Sequence, residues 1–89
     1  MIRALIVEDE ATIRNGLARH VRWQELGIEE VRTAESAEKA LSMLAEYRPD
    51  LVLSDIRMPG MDGTHMGEVI RGRLPNTQII FISGYTDKE

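Results

Sequence analysis

Apolar and polar positions alternate between two rhythms along this chain. Ile2 to Val7 is a nearly continuous apolar run, interrupted by Arg3 and stopped by Glu8-Asp9-Glu10. Such a run, bounded by polar residues, suits a strand buried on both faces of a parallel sheet. Ile13, Leu17 and Val21 follow at a spacing of four and predict one apolar helical stripe. Glu30-Val31-Arg32-Thr33 predicts a second strand. Ser36 is placed to cap a helix whose inner face is Ala37, Ala40, Leu41 and Leu44. Pro49 closes that connection, and Leu51-Val52-Leu53-Ser54 predicts a third strand ending on Asp55. Arg57 to Gly63 reads as a loop, punctuated by Pro59, Gly60 and Gly63. Met66, Val69 and Ile70 begin a third helical face, weakened by Gly67 and Gly72. Ile79 to Ile82 is the fourth and most apolar strand run; Ser83-Gly84 ends it, and Thr86 to Glu89 could open another helix.

The order β-α-β-α-β-α-β predicts an α/β fold: a doubly wound parallel sheet with helices on both faces and right-handed crossovers. The length of 89 residues fits one domain, 1–89, with no repeat, low-complexity segment or linker.

Composition narrows the function classes. A hydrophobic fraction of 43% supports a packed core, although so short a chain has a marginal one. The net charge of −4 argues against a nucleic-acid surface, because nothing offsets phosphate repulsion. With no cysteine there is neither a disulfide framework nor a thiolate metal site, which fits a reducing cytoplasm. No apolar run approaches the ~20 residues that cross a bilayer, and the N-terminal run is too short for a signal peptide.

The candidate chemistry lies where strands end. Glu8 and Asp9 follow the first run, Asp55 the third and Ser83 the fourth. Open α/β sheets bind ligands beyond the carboxyl ends of their strands, where the chain order reverses. If the first and third strands are neighbours, their ends lie ~4.8 Å apart. Carboxylates so crowded raise one another's pKa, and a cation relieves this. Oxygen-only ligands point to Mg²⁺, which keeps places for water and substrate oxygens. Asp55 would then attack phosphorus as a carboxylate nucleophile, and the Ser83 hydroxyl could donate to a phosphoryl oxygen. Singly, these residues have plainer explanations. Asp9 or Glu10 could cap the next helix, Asp55 could solvate a loop, and Ser83 could be a turn residue. Their joint placement is what favours a site. Neither histidine has a second nitrogen or sulfur ligand nearby; His20 reads as a half-buried packing residue and His65 as solvated. Met58, Met61 and Met66 are expected to pack around the loop and third helix, and Trp23 to clamp the turn after the first helix.

These residues resemble a known family. Leu5-Ile6-Val7-Glu8-Asp9-Glu10 resembles the acidic first-strand motif of response-regulator receiver domains. Asp50 to Gly63, DLVLSDIRMPGMDG, resembles their phosphorylation-site motif over its whole length, and Ile79 to Tyr85 the fourth-strand motif with its switch hydroxyl. The resemblance spans the chain. It implies a flavodoxin-like receiver fold with Asp55 as phosphoacceptor. It also implies Mg²⁺ held by Asp9, by Glu8 through water, by Asp55 and by the backbone carbonyl of Arg57. Ser83 would follow the phosphoryl group, and the implied partner is a sensor histidine kinase. Val21 to Gly27 with Ser83-Gly84-Tyr85 resembles the subgroup joined to AraC-type DNA-binding domains, which implies transcriptional control. The family's pattern continues into a fifth strand and fifth helix, with a Lys-Pro pair after that strand. Lys88 does not match that lysine, so the sequence reads as a receiver truncated at its C-terminus. On this reading the fourth strand is an open edge inviting self-association, and phosphorylation is slow for want of the lysine.

Two rivals remain. A small Mg²⁺-dependent phosphohydrolase of the haloacid-dehalogenase type would have an acid two positions past its nucleophile, where this chain has Arg57. A purely structural or dimerisation module would carry the same acids as degenerate features.

Overall fold

The computed structural model describes residues 1–82. Its elements, in order, are β1 (Arg3–Val7), α1 (Ala11–His20), a 3₁₀ turn (Gln24–Leu26), β2 (Glu30–Ala34), α2 (Ala37–Met43), β3 (Leu51–Asp55), α3 (Gly63–Arg73) and β4 (Gln78–Ile82). The strands form one parallel sheet in the order β2-β1-β3-β4. The doubly wound α/β expectation therefore holds for these residues. The switch hydroxyl expected of Ser83, and the helix expected for Thr86 to Glu89, lie outside the described residues.

Period-two alternation in β1 divides the core. Leu5 and Val7 pack with Ala37, Ala40, Leu44, Val52, Met66 and Ile70 on the side covered by α2 and α3. Ala4 and Ile6 pack with Trp23 and Ile28 on the side of α1. β1 is buried on both faces, which is why it reads as an unbroken apolar run. The Trp23 indole N–H donates to the Leu17 carbonyl at 3.1 Å, so the clamp expected of Trp23 is in place. The Tyr47 hydroxyl donates to the Ala4 carbonyl at 2.7 Å and ties the chain after α2 to β1.

The helix starts follow from local chemistry. The Ser36 hydroxyl accepts the Lys39 N–H at 3.0 Å, the N-cap its position predicts. Asp62 caps α3 in the same way, accepting the His65 N–H at 2.9 Å. An aspartate just ahead of a helical stripe marks such a cap in the sequence, so Asp62 belongs to the helix start rather than to the loop alone.

Three expectations for α1 and α3 need correction. Ile13 is 40% exposed rather than part of a buried stripe, and Val21 lies past the helix in extended backbone. A spacing of four turns about 40° per step around a helix of 3.6 residues per turn. The stripe therefore drifts, and Leu17 and Ala18 meet the core while Ile13 reaches the rim. His20 is exposed, not half-buried, because it shares the outward face of the last turn with Arg19. Gly67 is buried, and a Cβ there would sit 3.1 Å from Phe81 Cζ. What the sequence shows as a weak helix former is a seat for β4.

The sheet's outer strands differ in character. β2 carries charge: Glu30 pairs with Arg3 at 3.2 Å and with Arg32 at 3.1 Å. β4 is uncharged, with Ile80 51% and Phe81 38% exposed. No helix among the described residues is long and apolar enough to cross a membrane.

Candidate functional site

Strand register builds the site. Val7 pairs with Ser54, so the residues one step further, Glu8 and Asp55, stand level at the carboxyl edge of the sheet. β1 connects outward to β2, and the chain then crosses back over β1 to β3. The β1/β3 border is thus the switch point of the sheet. Carboxylate oxygens of Glu8, Asp9 and Asp55 all lie within 4.8 Å of one another there. The convergence expected from the sequence is what the strands produce.

The acids sit in graded environments. Glu8 is 3% exposed, Asp55 half-buried and Asp9 exposed. Burial pushes the Glu8 carboxyl above its usual value, and the negative charges of Asp55 and Asp9 add to this; the Glu10 N–H, bonded to Glu8, pulls the other way. That N–H lies 3.1 Å from Glu8 Oε2. Glu10 stands at the helix start without a side-chain cap bond, so the capping explanation for these acids does not apply to it. Such a set, all oxygen and crowded beyond what its own hydrogen bonds relieve, fits a hard divalent cation such as Mg²⁺.

Neighbouring backbone is held in several ways. The Arg14 guanidinium donates to the carbonyl of Glu8 at 2.9 Å and more distantly to that of Asp9 at 3.5 Å, which fixes the turn after β1. The buried Ser54 hydroxyl donates to the Asp55 carbonyl at 2.8 Å. The exposed Arg57, two residues past the end of β3, donates its N–H to Asp55 Oδ1 at 3.4 Å. The Gly63 N–H closes that loop onto the Ile56 carbonyl at 2.7 Å. A methyl group at Gly63 would overlap the Asp55 carbonyl oxygen and come within 3.2 Å of Ile56 Cα. The Glu38 carboxylate, reaching from α2, accepts the Met61 N–H at 3.1 Å. The sequence reading missed Arg14, Glu38 and the close approach at Gly63. Only the glycine left any trace, as loop punctuation.

β4 completes the rim: Ile82 is the register partner of Asp55. Ser83, the next residue in sequence, lies outside the described residues.

Comparison with known proteins agrees with this geometry. Residues 4–89 match the response regulator receiver domain. An uncharacterized response regulatory protein of Staphylococcus epidermidis is 37% identical over 89 residues, all of this chain and 35% of that protein. A two component transcriptional regulator AraC from Clostridium phytofermentans superposes with a TM-score of 0.90 at 35% identity, over 99% of this chain and 71% of that one. Response regulator protein TrrA of Thermotoga maritima, solved in complex with Mg²⁺-BeF, gives 0.82 at 38% identity, over 97% of this chain and 72% of that one. The chain spans 24% to 35% of the length of the curated relatives it matches. A matching description over nearly all the chain, on this sheet order and with these acids at its strand tips, makes it a member of the response regulator receiver domain family.

Proposed function

We propose that this chain is the phosphoacceptor domain of a two-component response regulator. Asp55 takes a phosphoryl group from a phosphohistidine of a sensor histidine kinase. The P–N bond breaks as a carboxylate oxygen of Asp55 bonds to phosphorus, and the departing imidazole takes up a proton. The observation that carries this reading is the meeting of Glu8, Asp9 and Asp55 at the switch point of the sheet.

Asp9 and Asp55, with the Arg57 carbonyl and with Glu8 through water, are the groups that would hold Mg²⁺. Bound there, the ion would spread the charge that develops on the transferring oxygens. Asp55 supplies the nucleophile, and the Arg57 N–H orients its Oδ1. Buried Glu8 keeps negative charge close to the cation without presenting a second open nucleophile. Ser83, from its place after β4, would donate its hydroxyl to a phosphoryl oxygen. The chain accepts one phosphoryl group and is not a turnover enzyme. It works in the cytoplasm, and in a longer protein its output is control of transcription, as the name of the Clostridium relative suggests.

The test is treatment with acetyl phosphate and Mg²⁺, followed by intact-mass measurement and peptide mapping. One hydroxylamine-labile phosphoryl group on Asp55 is expected. Multiple turnover of a phosphomonoester would favour the phosphohydrolase instead, even though Arg57 stands where that enzyme type has its second acid. No label at all would favour a structural module.

The partner proposal extends to a second copy of the chain. Among the described residues β4 pairs with β3 alone and has Ile80 and Phe81 exposed, without the charges that guard β2. Uncharged edges of this kind add strands readily. Sedimentation should reveal a dimer within the micromolar range; a monomer throughout, with the fold intact, rules the contact out.

A further inference from the structure

The geometry points to Glu38 as a positioning residue for the loop that follows Asp55, an inference that rests on the Mg²⁺-assisted phosphoacceptor reading above. Glu38 belongs to α2, which precedes β3 in the chain, and is not one of the acids that meet at the strand tips. Its helix is anchored from below: Ser36 caps it, and Ala37 and Ala40 are fully buried. The exposed Glu38 side chain leaves this fixed base and reaches across to the loop. There Oε2 accepts the Met61 N–H at 3.1 Å. Gly60, at φ +79°, lies directly over the same oxygen; a Cβ at Gly60 would stand 2.9 Å from it. The loop backbone is therefore shaped around this carboxylate.

The remaining anchors explain why that contact matters. Met58 is buried in the core, and the loop's far end is closed by the bond from the Gly63 N–H to the Ile56 carbonyl. Between Met58 and Gly63, the Glu38 carboxylate is the partner that reaches the loop backbone from α2. Arg57, whose N–H touches Asp55 and whose carbonyl is the expected metal ligand, sits next to Met58 in this short span. Releasing Met61 lets the span shift, and a cation bound through a loop carbonyl feels that shift. An exposed hydrogen bond between two elements, as here, adds little net stability but fixes where the loop backbone sits.

Mg²⁺ titration of the intact chain, followed by the backbone-amide NMR shifts of Asp55 and Arg57, tests the inference. Glu38→Ala should weaken Mg²⁺ binding about threefold to tenfold, the range of one net hydrogen bond. It should also speed hydrogen exchange at the Met61 amide while leaving the thermal midpoint nearly unchanged. Glu38→Gln keeps an acceptor and should restore most of the affinity. Gly60→Ala strains the φ +79° backbone and also crowds the carboxylate off Met61, so it should cost affinity in both backgrounds, with only the carboxylate part of the loss absent in the Glu38→Ala background. Equal Mg²⁺ affinity in wild type and Glu38→Ala overturns the inference and leaves the phosphoacceptor reading standing. Equal losses in Glu38→Ala and Glu38→Gln also overturn it, because charge rather than position would then be responsible. If wild type itself binds no Mg²⁺, both fall together, and the wild-type titration alone reports that.

Discussion

An Asp55→Asn protein is expected to take up no phosphoryl group from acetyl phosphate and to melt at a higher temperature than wild type when Mg²⁺ is absent. The loss of labelling is total because an amide oxygen cannot serve as the carboxylate nucleophile. The gain in stability follows from the crowding of Glu8, Asp9 and Asp55, whose oxygens lie within 4.8 Å of one another. Like charges at that range repel by on the order of 1 kcal/mol or more near a protein surface. Removing one of them should raise the midpoint by about 4–8 °C in a domain of this size.

The pH dependence has a definite sign. Burial first, and the neighbouring acids after it, raise the folded-state pKa of Glu8. The folded protein thus holds this proton more tightly than the unfolded chain does. Glu8 contributes stability that is fully present below the ordinary glutamate pKa and is lost as pH rises through the higher folded value. Without metal, wild type should lose stability across that window, and Asp55→Asn should lose less. Mg²⁺ should raise the wild-type midpoint at neutral pH, much less so in acid, and do little for Asp55→Asn. Calorimetric melts with and without Mg²⁺ at acidic and neutral pH decide the matter. Identical midpoints for the two proteins under metal-free conditions would remove the repulsion argument, whatever the labelling shows.

Much of this site is legible in the sequence, because strand tips are marked in one dimension. An apolar run that halts on an acid, as at Val7-Glu8 and Ser54-Asp55, states both the strand and what stands at its end. The parallel sheet then brings two such ends level, and the register of Val7 with Ser54 is the whole of that step. Periodicity also identifies a face, but not its centre. This is why Leu17 packs inward while Ile13, in the same spacing, lies at the rim. Contacts between elements leave no such mark. Nothing near Glu38 in sequence announces Met61, and nothing near Arg14 announces that it will hold two carbonyls of the preceding turn. Those pairings depend on how deeply each helix sits against the sheet, which buried side chains on several strands set jointly.

The glycines show the same limit from the backbone side and yield the second large effect. Gly63→Ala should destabilise the protein by about 2–4 kcal/mol and impair labelling of Asp55. In isolation the substitution favours the helix, since alanine gains up to about 1 kcal/mol over glycine. Against this, the new methyl group meets the Asp55 carbonyl oxygen and the Ile56 backbone. Those are main-chain atoms of β3's end, pinned by Ser54 Oγ and by the Gly63 N–H itself, and they cannot swing aside as a side chain would. Relief requires the start of α3 to back away from β3. That movement breaks the bond closing the loop and turns the Asp55 carboxylate away from Glu8 and Asp9. Gly72→Ala is the matched control. It lies in the same helix, is exposed and has open space around its Cβ position, so only the favourable propensity term applies. The pair should therefore move in opposite directions in urea melts, with Gly72→Ala labelled as fast as wild type. Should Gly63→Ala melt and label like wild type, the close approach of α3 to the end of β3 would have to be abandoned, and with it the account of what aims Asp55.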